Sequence, residues 1–247
     1  MSEGLTLLGL NFAGLIAVIL ILWWIAVAMR GVSFIDTADV YVKGRTEEIV
    51  GRWLKGKPRG QIILATKVTG PGHGWFRPPV RGGFTALDRR QIFQACEDSL
   101  RRLQTDYIDL YQLHWPSRNA PIFGQKEFDP ELERESVAIE ATLSVLDSLV
   151  KEGKIRHIGV SNETPWGVSE FIKHAERQQQ ARIISIQNPY HLMNRSYEQG
   201  LTETCFREQV GLLAYSPLAF GRLTGKYVDD AQTKGRLTQF PPTWSPR

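Results

Sequence analysis

Short apolar runs alternating with longer amphipathic segments restrict the fold of this chain more than any other feature. Runs of strand length fall at 32–35, 62–66, 107–113, 155–160, 183–186 and 211–214. Between them lie helical patterns. Ile92, Ala95, Cys96, Ser99, Leu100 and Leu103 share one face at helical spacing, as do Ile139, Leu143, Leu146 and Val150 within a helix expected over 135–152. Gly153 is the expected stop of that helix, because a left-handed residue after a helix costs least as glycine. Thr46 ahead of Glu47 and Glu48 reads as an N-cap followed by first-turn acids, and Thr164 before Pro165 reads as a cap before a proline at the first helical position. Strand, crossover helix and strand in repetition is the pattern of a parallel α/β fold.

One segment departs from that pattern. From Leu5 to Met29 the chain carries no charge, and from Phe12 onward every residue is apolar or glycine. About 20 such residues suffice to cross a bilayer as a helix. The Trp23-Trp24 pair sits toward one end, as interfacial aromatics do. Two readings stay open for residues 1–30: a helix crossing or entering a membrane, or a buried first helix of the domain in 31–247. In the first, the basic residues from Arg30 to Arg59 place the globular part on the cytoplasmic side. A secretory leader is disfavoured, since neither a basic start nor a small-residue cleavage site is evident.

Composition excludes other classes. With 42% apolar and 23% charged residues the chain is neither disordered nor fibrous. A net charge of +4 without any run of five or more basic residues gives no support to nucleic-acid binding. Cys96 and Cys205 match no disulfide framework or zinc spacing, so no metal is expected and both thiols are read as buried and reduced. Nucleotide-binding GxGxxG and GxxxxGK[ST], and the hydrolase motifs GxSxG and HExxH, are absent.

The chemistry lies where the apolar runs end: in order, at Asp36, Lys67, His114, Ser161-Asn162, Gln187-Asn188 and Tyr215-Ser216. In a parallel barrel those C-terminal ends converge on one mouth, the usual seat of a barrel active site. The loops at 70–86 and 116–131 are long and rich in Gly and Pro, as loops around a site tend to be.

The segments FIDTADVY (34–41), ILATK (63–67), DLYQLHWP (109–116), GKIRHIGVSNETPWG (153–167), SIQNPYHLMNR (185–195) and LLAYSPLAFGRLTGKY (212–227) resemble the aldo-keto reductases, and in particular the bacterial Tas-type, NADP(H)-dependent members. The resemblance implies a (β/α)8 barrel that reduces the carbonyl of a small-molecule aldehyde or ketone with NADP(H). It implies a catalytic set of Asp36, Tyr41, Lys67 and His114. A carbonyl accepting hydride at carbon needs a proton at oxygen, and a phenol with a pKa of about 10 is a sluggish donor at neutral pH unless a cation favours its phenolate. Lys67 would be that cation, Asp36 its counter-ion, Tyr41 the general acid, and His114 the group orienting the carbonyl oxygen.

By the same resemblance Ser161, Asn162 and Gln187 would hold the nicotinamide carboxamide, and Tyr215 would stack on the ring. Ser216, Pro217, Leu218, Gly221 and Leu223 would wrap the pyrophosphate, and Lys226 and Arg236 would meet phosphate charge. Two departures accompany the match. The apolar run occupies the place of the family's first strand and helix, and the sequence ends after the loop of the seventh. The expectation is therefore a barrel incomplete at both ends, with weak dinucleotide binding. A working reductase, a weakly active or inactive fragment, and a cofactor-binding regulatory subunit all remain compatible with it.

Overall fold

Strands buried on both faces give the sheet its character. All six residues of β3 (Ile108–Leu113) are buried, as are all but the first of β2 (Ile63–Val68). Such two-sided burial is the condition of a parallel sheet covered by helices, and it explains why these runs read as near-continuous hydrophobic stretches. The computed structural model describes residues 33–72, 81, 85–123, 125 and 127–239. Among these, β1 (Phe34–Asp36), β2, β3, β4 (Ile155–Ser161), β5 (Ile183–Pro189) and β6 (Gly211–Tyr215) form one six-stranded sheet in sequential order, each strand parallel to the one before. Helices α1 (Arg45–Leu54), α2 (Arg89–Leu103), α3 (Ile139–Lys151), α4 (Pro165–Gln178) and α5 (Leu201–Glu208) follow the first five strands, and α6 (Arg236–Gln239) lies beyond β6. Among the described residues, six parallel strands in this order, with a helix after each of the first five, are consistent with part of a (β/α)8 barrel, the fold that the resemblance implies.

The strands fall where the sequence placed them, with one systematic difference. Several continue past their apolar run: β2 includes Lys67, and β5 includes Gln187 and Asn188. Ladder bonding continues through polar residues because the neighbouring strands extend equally far. Helix α2 buries all six residues predicted for its inner face. The α3 segment begins later than expected, at Ile139, because the Val137 N–H is tied to Ser117 Oγ in the opposing loop and Ala138 is extended. Its end conforms: Gly153 has φ of +73° and donates to Val150 O, while Lys154 donates to Leu149 O. Thr164 caps α4 through its hydroxyl, which accepts from the Gly167 N–H.

Thr46 does not cap α1. Gly44 occupies the cap position in a left-handed conformation, and the Thr46 hydroxyl instead donates to Tyr41 O. Glu47, expected to serve the helix dipole, is fully buried, accepts from Thr66 Oγ1 (2.6 Å) and pairs with Arg102 (2.7 Å). Burial raises its carboxyl above the usual range despite Arg102 and Thr66, which pull the other way. The bridge joins α1, β2 and α2. Both cysteines are free and buried, and burial with nearby Glu97 pushes the Cys96 thiol up to about 12.

Strand β6 is the least covered, with Gly211 and Ala214 exposed. The apolar run at 5–29, its alternative readings and the domain boundary at residue 30 lie outside the described residues. Among the described residues no helix is long and apolar enough to cross a membrane.

Helices α1 and α2 approach closely at Gly51, where a Cβ would overlap the Arg102 carbonyl oxygen and lie 2.7 Å from the Leu103 carbonyl carbon. Gly51→Ala raises intrinsic helix propensity by about 1 kcal/mol, yet it is expected to destabilise the protein by about 1–3 kcal/mol through overpacking against backbone. Urea unfolding decides the sign, and a stabilised variant would refute the close contact.

Candidate active site

Asp36 closes β1, and the chain beyond it keeps bonding to β2: Thr37 N–H donates to Ala65 O and Asp39 N–H to Lys67 O. The backbone then turns, with Tyr41 N–H donating to Ala38 O and with Val42 and Lys43 both left-handed, at φ of +48° and +57°. This turn leans Tyr41 over the strand ends. Lys67 sits in β2, and its Nζ lies 2.6 Å from Asp36 Oδ2, 2.8 Å from Thr37 O and 3.5 Å from Tyr41 Oη. His114 follows β3 with its N–H bonded to Val68 O, and its ring meets that of Tyr41 edge-to-face at 5.6 Å. The four residues expected to act together are thus within one cluster.

Their surroundings differ sharply. The Lys67 side chain is wholly buried, the Asp36 carboxylate is partly open, and Tyr41 is 38% exposed. Burial opposes charge on Lys67, but Asp36 and Tyr41 outweigh it and hold the ammonium above its ordinary value. His114 goes the other way: burial, reinforced by the Lys67 charge, holds its imidazole well below its usual range, so the ring is neutral at pH 7. Its Nδ1 has no hydrogen-bond partner among the described residues. The arrangement offers a partly exposed phenol backed by a fixed cation, beside a neutral imidazole.

The residues expected to hold a dinucleotide continue from this cluster across β4, β5 and β6. Asn162, left-handed at φ of +53°, donates through Nδ2 to His114 O (2.9 Å) and Ser161 Oγ (3.1 Å), and its Oδ1 accepts from Tyr215 Oη (2.8 Å). Ser161 Oγ donates to Gln187 O. Both amide protons of Asn162 are therefore engaged within the protein, leaving acceptor capacity at Oδ1. The Gln187 side-chain amide, by contrast, makes no hydrogen bond among the described residues. Burial, with Tyr41 nearby, raises the Tyr215 phenol above its ordinary value.

Beyond β6 the chain turns sharply, with Ser216 at φ of +55° and Gly221 at +95°. Pro217 and Leu218 are exposed, and Leu223 lies in the same 3-10 segment as Gly221, Ala219–Thr224. Lys226 lies against Gly221, where a Cβ would fall 2.8 Å from its Cε. Arg236 opens α6 and stacks over Phe220 at 4.8 Å. A cleft of about 810 Å³ is lined by Asn162, Tyr215, Ser216, Phe220 and Arg222. Lys226 and Arg236 belong to this turn and not to the Asp36–Lys67 cluster.

Two sets of residues carry weight that the sequence did not signal. Asp39 is buried, accepts from the Thr69 N–H and hydroxyl, and pairs with Arg81 at 2.6 Å, fixing the turn before Tyr41. Gln112, fully buried in β3, donates from Nε2 to Asp36 Oδ1 at 3.0 Å. Nothing in the local pattern singles out either, since each gains its partner across strands. No cluster of possible metal ligands occurs among the described residues.

A model of the aldo/keto reductase family matches residues 25–240. Protein tas of Escherichia coli is 45% identical over 223 residues, covering 85% of this chain and 63% of its own length. An aldo-keto reductase of Babesia bovis is 42% identical over 195 residues, covering 73% of this chain and 67% of that protein. Among solved structures, the thermostable aldo-keto reductase Tm1743 in complex with epalrestat superposes with a TM-score of 0.64 at 32% identity, over 84% of this chain and 62% of that one. An aldo/keto reductase from Klebsiella pneumoniae in complex with NADP and acetate gives a TM-score of 0.60 at 32% identity, over 81% and 59%. The chain thus spans less than two thirds of the length of Escherichia coli tas.

The depressed His114 value sets a pH dependence. An unfolded chain takes up the imidazole proton near pH 6.5, whereas the folded chain does so only further down. Stability linked to His114 is therefore whole above about pH 6.5 and is lost as pH falls toward the folded value. Urea unfolding at pH 7.5 and 5.5 should show a smaller acid loss in His114→Gln than in the wild type. A His114 NMR signal titrating at the ordinary imidazole value would overturn this.

Proposed function

The chain belongs to the aldo/keto reductase family, and on that basis we propose that it reduces aldehyde or ketone carbonyls to alcohols with NADPH, Tyr41 serving as the general acid. The observation that carries this reading is the triple engagement of Lys67 Nζ with Asp36, Thr37 O and Tyr41 Oη. Because the ammonium already donates to the phenol oxygen, the phenol proton is turned away from Lys67, and Tyr41 is exposed enough to offer it to a substrate. As that proton leaves, the charge left on the oxygen meets a fixed, buried cation that needs no reorganisation. The neutral His114 carries one ring N–H and can hydrogen-bond the substrate oxygen, holding it beside Tyr41.

The residues present fit a nicotinamide dinucleotide. Gln187 has an unengaged amide able to give and take a hydrogen bond with a carboxamide, and Asn162 Oδ1 adds an acceptor. Tyr215, its hydroxyl fixed by Asn162, presents an aromatic ring next to them. The turn after β6 supplies glycines at positive φ together with Arg222, Lys226 and Arg236, a composition suited to phosphate. When bound, NADPH supplies the hydride that goes to the carbonyl carbon.

Tyr41→Phe is expected to lower kcat for aldehyde reduction by about 10²–10⁴-fold, the usual contribution of a positioned acid, while NADPH affinity measured by fluorescence stays within a factor of two. Lys67→Met should lose comparable activity. Near-normal turnover in Tyr41→Phe would remove the phenol from the chemistry, and the absence of NADPH binding by the wild type would refute the cofactor assignment.

A further inference from the structure

We propose that Gln112 is a positioning residue for the reduction, keeping the Asp36 carboxylate turned inward onto Lys67. The proposal rests on the reductase reading for its kinetic consequence, and on geometry alone for its structural one. Asp36 has two oxygens with different tasks. Oδ2 meets Lys67 Nζ at 2.6 Å, and Oδ1 accepts from Gln112 Nε2 at 3.0 Å. The lysine is sealed, with none of its side chain exposed, whereas 22% of the aspartate side chain is open to solvent. Water therefore competes for the carboxylate but not for the ammonium. A carboxylate held by one oxygen can swing toward that water, and a donor on the second oxygen fixes its plane.

The sheet register explains why Gln112 can do this. Lys67 pairs with Gln112 across β2 and β3, Gln112 with Gly159 across β3 and β4, and Gly159 with Ser185 across β4 and β5. Gln112 thus occupies the row of the sheet that contains the lysine. Gly159 gives its side chain room: a Cβ there would lie 3.0 Å from Gln112 Cγ and 2.6 Å from Ser185 Oγ. At the far end of the amide, Gln112 Oε1 is buried without a partner among the described residues, as is Ser185 Oγ. The carboxylate at Asp36 alone therefore determines which way the amide faces, since only its NH₂ end is attractive to Oδ1. Burying an amide with its oxygen unpaired is costly, and the bond to Asp36 is what the position gains in return.

The groups facing Lys67 are Asp36 from β1, Tyr41 from the turn after it, and His114 from the end of β3. If the carboxylate turns outward, desolvation is no longer outweighed and the lysine gives up its proton more readily. Removing the donor should thus act on both the cation and the tyrosine it supports.

The test is Gln112→Met in the full chain, which keeps length and removes both hydrogen-bonding ends. The Lys67 side-chain signal, assigned by its loss in Lys67→Met, is followed by NMR against pH. The expected result is a Lys67 midpoint lower in Gln112→Met than in the wild type. Aldehyde reduction should fall about 10-fold or more in kcat, the scale of a lost hydrogen bond to a charged group, with NADPH Kd within twofold. An unchanged Lys67 midpoint with unchanged kcat would overturn the proposal. A loss of NADPH affinity parallel to kcat would overturn it too, by showing general disturbance of the barrel. Should Gln112→Met prove unfolded by circular dichroism, Gly159→Ala crowds the same amide from β4 and is read by the same titration. A wild type without reductase activity refutes the reductase reading, while the lysine titration still decides the role of Gln112.

Discussion

A fully buried ammonium sets the terms for the site. Removing a charge of that size from water costs several kcal/mol even after relaxation, and the cost is met only by a close counter-charge with good geometry. Lys67 meets it with Asp36 at 2.6 Å and the Thr37 carbonyl at 2.8 Å. Both acceptors come from the end of β1, so the pairing of β1 with β2 and the charge state of the lysine depend on each other. Slipping that register by one residue would send Lys67 to the opposite face of the sheet. The ladder bonds that carry on past Asp36, from Thr37 and Asp39 to β2, guard against such a slip.

The same constraint reaches the helices. Thr66 stands next to Lys67 and faces the other way, where its hydroxyl donates to the buried Glu47 of α1, itself paired with Arg102 of α2. One side of β2 is thus fastened to the barrel interior through Lys67 and the other to the helical layer through Glu47. Neighbouring residues of a strand point to opposite faces, so consecutive positions 66 and 67 serve the two layers at once.

Much of this was legible in the sequence, for a physical reason. Strands buried on both faces must be apolar, so their runs stand out, and several such runs each closed by a polar residue point to one shared mouth. Asp36, Lys67, His114 and Gln187 stand out as candidates in that way. Gln112 was not, because a glutamine inside a motif looks like any polar residue until its partner on β1 is known. Asp39 and Arg81 were hidden likewise, being 42 positions apart. Thr46 misled in the opposite sense: its pattern is that of a cap, but the left-handed Gly44 already starts the helix, so the hydroxyl was free to bind Tyr41 O instead. Local patterns report what a residue can do with its neighbours, and these cases turn on what tertiary contact offers in their place.

Asn162 shows how two parts of the site become one. Its side chain was expected to face a ligand, yet it spends both amide protons on His114 O and Ser161 Oγ and receives the Tyr215 hydroxyl at Oδ1. One amide therefore fixes the backbone of the residue proposed to orient the carbonyl and the ring proposed to meet the nicotinamide. The residues proposed to meet the cofactor ring and to orient the substrate oxygen thus share one hydrogen-bonded amide. Asn162 is a left-handed, non-glycine residue just after β4, and at φ of +53° its side chain makes three hydrogen bonds that set against the backbone strain.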